Sequence, residues 1–115
     1  MQPLGRLEYE LINETKCGEE ELFGLIAGFA PEYGLPPLLS ALASLVSSGH
    51  LACQVGSGRQ DIVVTYQMLQ QYVRCREAAG EQLDQYPAAC AEYSFRATER
   101  GLALLSESDK PIGAG

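Results

Sequence analysis

The segment PPLLSALASLVSSGHLACQVGSGRQD, residues 36–61, constrains the fold more than any other part of the chain. Pro36 and Pro37 suit the first turn of a helix, where a missing N–H has no intrahelical bond to lose. Leu38, Ala41, Leu42, Leu45 and Val46 then recur at the spacing of one buried helical stripe. Gly49 is placed to end that helix, and in HLACQV the apolar period drops to about two residues. A helix over residues 36–48 is therefore predicted to pass through a glycine straight into a strand. Such a junction calls for helices and a sheet around one core, which is an α+β fold.

Leu4, Leu7, Leu11 and Ile12 predict an earlier helix over residues 4–15. Leu22, Phe23, Ile26 and Ala27 predict a second, entered at Glu19 through the acidic run GEEE, whose carboxylates suit a helix start, and ended before Pro31. The core should then be Leu38, Leu42, Leu45 and Val46 against Leu7, Leu11, Phe23 and Ile26. Beyond the third helix, HLACQV and DIVVTY read as strands around the turn GSGRQ. QMLQQYVRCREAAGEQLDQY returns to a helical period, with Met68, Leu69, Tyr72, Val73, Ala79 and Leu83 apolar and Pro87 as its stop. EYSFRAT reads as a strand, and TERGLALLSES as a closing helix with Thr98 as its N-cap. At 115 residues the chain allows one domain, here residues 1–107, with 67–86 as a helical insertion and 108–115 as a flexible tail.

Charge narrows the function classes. The net charge is −7, and the eight cations never form a run longer than the RCR of residues 74–76. Proteins grip nucleic acid mainly by setting Lys and Arg against phosphates, so an acidic chain must gather its few cations on one face or bind something else. Cys17, Cys53, Cys75 and Cys90 form no CxxC or CxxxC pair and His50 has no second histidine near it, so reduced, mostly packed thiols and no metal or cofactor are expected. His50 follows the helix stop, where capping the last carbonyls is its ordinary role. Ser47, Ser48, His50 and Asp61 have the residue types of a hydrolase triad without its spacing, and GSGRQD lacks a phosphate-loop ending, so no enzyme is expected. No apolar run approaches the roughly 18 residues of a membrane span, and a cytoplasmic protein is expected.

Three helices, a strand leaving the third through LASLVSSGHLAC, and the closing YSFRATERGLALL resemble the winged-helix family of bacterial transcription regulators, of the PadR and MarR-like type. The resemblance covers residues 4–58 and 92–107, and its signature is a strand followed by Thr98, Glu99, Arg100, Gly101 and a leucine-rich helix. It implies a winged helix-turn-helix with a three-helix core and a small antiparallel hairpin or sheet, acting as a homodimeric, non-enzymatic DNA-binding module. The third helix would be the recognition helix, presenting Ser40, Ala43, Ser44 and Ser47, and the wing-tip Arg59, helped by Arg96 or Arg100, would reach phosphates. The family's plain hairpin is interrupted here by residues 59–91. Either the wing carries an inserted strand and helix, the favoured reading, or DIVVTY completes the hairpin and EYSFRAT joins its edge. The helix in that segment is expected to form the dimer contact through Leu69, Tyr72, Val73 and Leu83, or else to fold back on its own domain. A different class of function stays open: a protein-interaction or assembly domain of the same fold that has lost DNA binding, because residues 36–48 contain no Lys or Arg.

Overall fold

Leu7, Leu11 and Ile12 sit on one face of α1 (Arg6–Glu14), and that face is buried. The helix ends on Thr15, whose buried hydroxyl donates to the carbonyls of Leu11 (2.9 Å) and Ile12 (3.1 Å), two acceptors that a helix end otherwise leaves open. The computed structural model describes residues 5–56, 60–88 and 91–108. Among them the order is α1, β1 (Glu20–Glu21), α2 (Leu22–Tyr33), α3 (Leu35–Ser47), β2 (Leu51–Val55), α4 (Tyr66–Ala78), β3 (Tyr93–Ala97) and α5 (Glu99–Ser108). The fold is α+β, five helices around a small three-stranded antiparallel sheet.

Two expectations about α2 are corrected. The acidic run does not open the helix, since Glu20 and Glu21 form β1 opposite Phe95 and Ser94, and α2 begins at Leu22. A very short, charged edge strand leaves little free edge for another chain to pair with. Nor does Pro31 end the helix; it lies inside it. The amide that proline lacks would have bonded the carbonyl of Ala27, and both residues are exposed, so water can serve that acceptor. The stop comes at Gly34, where φ is +90° and the amide closes on the carbonyl of Ala30 (2.8 Å). Gly34 is also the residue before α3, so one glycine joins the two helices.

The sheet has the order β1-β3-β2. β2 pairs with β3 from Leu51 opposite Ala97 to Val55 opposite Tyr93. DIVVTY is therefore not the second arm of the hairpin. It touches β2 at one bridge, Ile62 to Cys53, then buries Val64, leaves Val63 69% exposed, and caps α4 through Thr65, whose hydroxyl accepts from the Met68 amide. β3 wins the inner edge of β2 because it offers five registered pairs where residues 61–65 offer one. The insertion thus separates the two long strands of the sheet and, among its described residues, carries a helix without a strand. That helix is shorter than expected, stopping at Ala78 rather than running to residue 86. Gly80 at φ +76° reverses the chain, and the Glu81 amide donates back to the carbonyl of Arg76 (2.9 Å).

One apolar cluster runs through the molecule, joining Leu7, Leu11, Leu22, Leu25, Leu38, Leu42 and Leu45 to Phe95 in the sheet and Leu69 in α4. Phe23, expected in that cluster, is only partly buried and sets its ring edge-on to Tyr86, 5.5 Å between centroids. Leu22 and Leu25 take its place, since with Ile26 they fall at the i, i+3, i+4 spacing of one buried face.

Candidate functional site: the outward face of α3 and the base of the sheet

Ser40, Ser44 and Ser47 are exposed and follow one another at helical spacing, with Ala43 half-buried beside them. The stripe is where the amphipathic pattern places it, since Leu38, Leu42, Leu45 and Val46 take the inner side. α3 carries no charged side chain at all. Hydroxyls can contact phosphate or a base edge, but the bidentate contacts that discriminate bases come from Arg, Lys, Asn and Gln, and the helix offers none.

At the far end of α3 the segments around Gly49 and Thr98 meet. His50 and Gly49 donate their amides to the carbonyls of Leu45 (2.9 Å) and Val46 (3.1 Å), with Gly49 at φ +83°. The Thr98 hydroxyl then donates to the Gly49 carbonyl (2.6 Å) and accepts from the Gly101 amide (3.2 Å), while the Thr98 amide donates to the His50 carbonyl (3.2 Å). Thr98 is thus the N-cap of α5 and the tie between α5 and the α3–β2 junction. A Cβ on Gly101 would lie 2.3 Å from the His50 carbonyl oxygen, a contact that backbone must yield to relieve. The spacing T-E-x-G is therefore read as one threonine cap and one glycine for close approach. The expected role of His50 shifts to its neighbour: Ser48 Oγ reaches the Leu45 carbonyl (3.1 Å), and His50 Nδ1 lies against that hydroxyl. Burial, and then the nearby Arg100 charge, lower the His50 pKa, which favours the neutral ring.

The cations are less available than the sequence suggests. Arg6 pairs with Glu10 and Glu32, and Arg76 is fully buried. Arg96 on β3 forms a two-pronged pair with Asp61 at 2.9 and 3.0 Å, and the Gln54 amide donates to the same carboxylate. Arg96 thereby holds Asp61 below the usual carboxylate range. Arg59 lies outside the described residues. Of the three arginines expected to face phosphate, Arg100 alone is described, exposed and without an ion pair among the described residues. Asp61 is engaged there and not with His50, so the triad residue types do not assemble.

The expected dimer anchors are built into the chain's own core. Leu69, Tyr72 and Val73 are buried and Leu83 is half-buried, because α4 packs on α3 and covers its own stripe. The side that α4 leaves open carries Gln67, Gln71, Arg74 and Cys75. Cysteine packing is also corrected: Cys53 is buried, with burial raising its thiol to about 12, whereas Cys17 and Cys75 are exposed, and Cys90 lies outside the described residues. Cys75 borders an open cleft of about 260 Å³ with Met68, Tyr72 and Tyr93.

Sequence reasoning missed Arg76. Its Nη1 donates to Tyr72 Oη (3.0 Å) and the Leu83 carbonyl (2.7 Å), its Nη2 to the carbonyls of Gln82 and Gln85, and its Nε to Glu81 (3.4 Å). Tyr72 Oη in turn donates to Glu92 Oε2 (2.7 Å), and Glu92 Oε1 accepts from the amides of Leu22 and Tyr93 (both 3.1 Å). The signal was positional: Arg76 follows Tyr72 by four residues and Val73 by three, on the apolar stripe rather than the polar side of the helix. Comparison of the chain with protein-family models, curated proteins and solved structures found no match.

Proposed function

We propose that the chain is a winged-helix module of the bacterial regulator type, non-enzymatic, whose α3 face docks a protein rather than reading DNA. The observation that carries this reading is the cation-free outward face of α3, where Ser40, Ser44 and Ser47 stand exposed. The winged-helix part of the proposal draws support from a three-helix arrangement joined to β2 and β3, and from the Thr98 tie that unites the residues carrying the family resemblance. A smooth hydroxyl and alanine surface lets another backbone come close. The net charge of −7 favours a partner of positive charge and disfavours phosphate. The bidentate Asp61 contact adds to this by occupying Arg96 at the base of the sheet.

A second reading, weak electrostatic contact with a DNA backbone, is favoured by Arg100, exposed in the first turn of α5 next to the end of α3. Fluorescence anisotropy of a labelled mixed-sequence duplex, at low and at moderate salt, separates the two. No binding at either salt is expected. Binding whose affinity falls as salt rises overturns the docking reading and supports phosphate contact. A homodimer, implied by the resemblance, would have to use surface other than Leu69, Tyr72 and Val73, such as the open side of α4.

A further inference from the structure

Residues 81–88 are held differently from everything around them. Gln82, Asp84, Gln85, Tyr86 and Ala88 are exposed, Leu83 is half-buried, and Pro87 alone is buried. The segment has no helix or strand of its own. Its carbonyls are instead gathered chiefly by one side chain, since the Arg76 guanidinium donates to the carbonyls of Gln82, Leu83 and Gln85 and to the carboxylate of Glu81, with the Tyr86 ring edge-on to Phe23 as a further contact. The other Glu81 oxygen accepts from the Ala88 amide (2.6 Å), closing the segment on itself. A stretch with few buried apolar side chains and mostly side-chain-held carbonyls belongs to the low-stability end of a folded protein.

Arg76 is 0% exposed, yet most of what it bonds to belongs to this segment. Lifting the segment would hydrate the guanidinium and the freed carbonyls together, so the open form strands no buried charge. Gly80, at φ +76° just past the Ala79 cap of α4, is a joint about which the segment can swing. On the other side of Arg76, the Tyr72 hydroxyl passes to Glu92, which holds the first amide of α2 and the first amide of β3, and whose own carbonyl accepts from Gly56 just past β2 (2.7 Å).

We propose that residues 81–88 are a strap that opens as a unit from the folded domain, with Arg76 as its catch and the Tyr72–Glu92 pair linking its position to the start of α2 and to the β2–β3 sheet. Opening bares the Arg76 end of α4, and a ligand or partner that favours the open strap alters the sheet through Glu92. This device does not depend on whether α3 meets protein or DNA.

Hydrogen exchange of the full chain, resolved by residue, tests it with two variants. Arg76→Lys keeps the charge but cannot fork among several carbonyls. It should speed exchange of the Glu81, Gln85 and Ala88 amides by about ten- to a hundredfold, the effect of losing hydrogen bonds to a charged group, with the α3 amides from Leu39 to Val46 unchanged. Tyr72→Phe removes only the hydroxyl and should speed exchange at Leu22 and Tyr93 as well as in the strap. If Arg76→Lys instead speeds the α3 amides as much as the strap, the segment is part of the global unfolding unit and no strap exists. If Tyr72→Phe leaves Leu22 and Tyr93 unaltered, the link to α2 and the sheet is wrong.

Discussion

α3 and α4 are helices of equal length, thirteen residues each, and they pack on one another, yet they are held by different mixtures of forces. α3 buries six apolar side chains and has no charged residue. α4 buries three apolar or aromatic side chains together with a guanidinium. The first is fixed by removal of apolar surface from water, which is non-directional and tolerant of detail. The second joins the same apolar cluster through Leu69, Tyr72 and Val73 and is held in addition by a hydrogen-bonded network, in which each lost partner leaves another unsatisfied. Cutting into each should therefore fail differently.

The largest loss is expected from α3. Leu42 is fully buried at the centre of its stripe, and Leu42→Ala should lower unfolding stability by about 2–5 kcal/mol. Chemical denaturation should show the whole chain losing stability in one transition, α4 included, because a single apolar cluster joins both helices. A denaturation midpoint equal to wild type would show that the stripe is not the core. Tyr72→Phe should cost less, about 1–3 kcal/mol, because the ring stays and what is lost is the hydroxyl bridging Arg76 to Glu92. An unchanged midpoint in that variant would remove the contrast, since α4 would then also rest on apolar contact alone.

The contrast also explains what could be read from sequence. The helix–glycine–strand junction was legible because an apolar period and a stop residue are local signals, and Ser40, Ser44 and Ser47 follow from the same pattern. Thr98 and Gly101 were legible as a motif, but why both are needed appears only when the His50 carbonyl lies against them. Arg96 and Asp61 are 35 residues apart, so nothing local announces that one neutralises the other. The C-terminal end of α4 is hidden differently: QLDQY continues a plausible helical period, and what stops the helix is Gly80 in the left-handed region, with the Glu81 amide turned back onto the Arg76 carbonyl. Apolar order is written in periodicity; polar order is written in pairs that only folding brings together.

Thr98 allows a smaller cut, made at the junction of α3 and the sheet and away from the insertion. Thr98→Ala removes both the N-cap of α5 and the tie to Gly49, and should cost about 1 kcal/mol, within the usual span for a lost cap. Thr98→Ser should restore most of it, since the hydroxyl is what both contacts use. Equal losses in the two variants would show that the threonine methyl, not the hydroxyl, matters at this position.

The smallest expected effect is a difference in how the two regions answer to pH. His50, at the α3–β2 junction, has its pKa lowered, chiefly by burial and then by Arg100. The folded state therefore binds that proton less readily than the unfolded chain, so this region's stability is full above about pH 6.5 and declines as pH falls through the lowered value. Glu92, in the insertion's network, has its pKa raised, chiefly by burial, with Tyr72, the Tyr93 amide and Arg76 opposing and Glu21 adding to the rise. Its sign is opposite: its contribution is full below the ordinary carboxylate value and declines as pH climbs through the raised one. Asp61 titrates below the ordinary carboxylate range and so stays charged across this window. Between about pH 4.5 and 6.5, bounded by the two ordinary values, acid should then weaken the junction while it relieves the cost of burying the Glu92 charge. Protection factors corrected for intrinsic exchange should fall at Thr98 as pH drops across that window. The imidazole of the single histidine, followed by NMR, should titrate below 6.5 and move upward in Arg100→Ala. A Thr98 protection factor that stays constant while the imidazole titrates would mean that the charge state of His50 has no bearing on the stability of the α3–β2 junction.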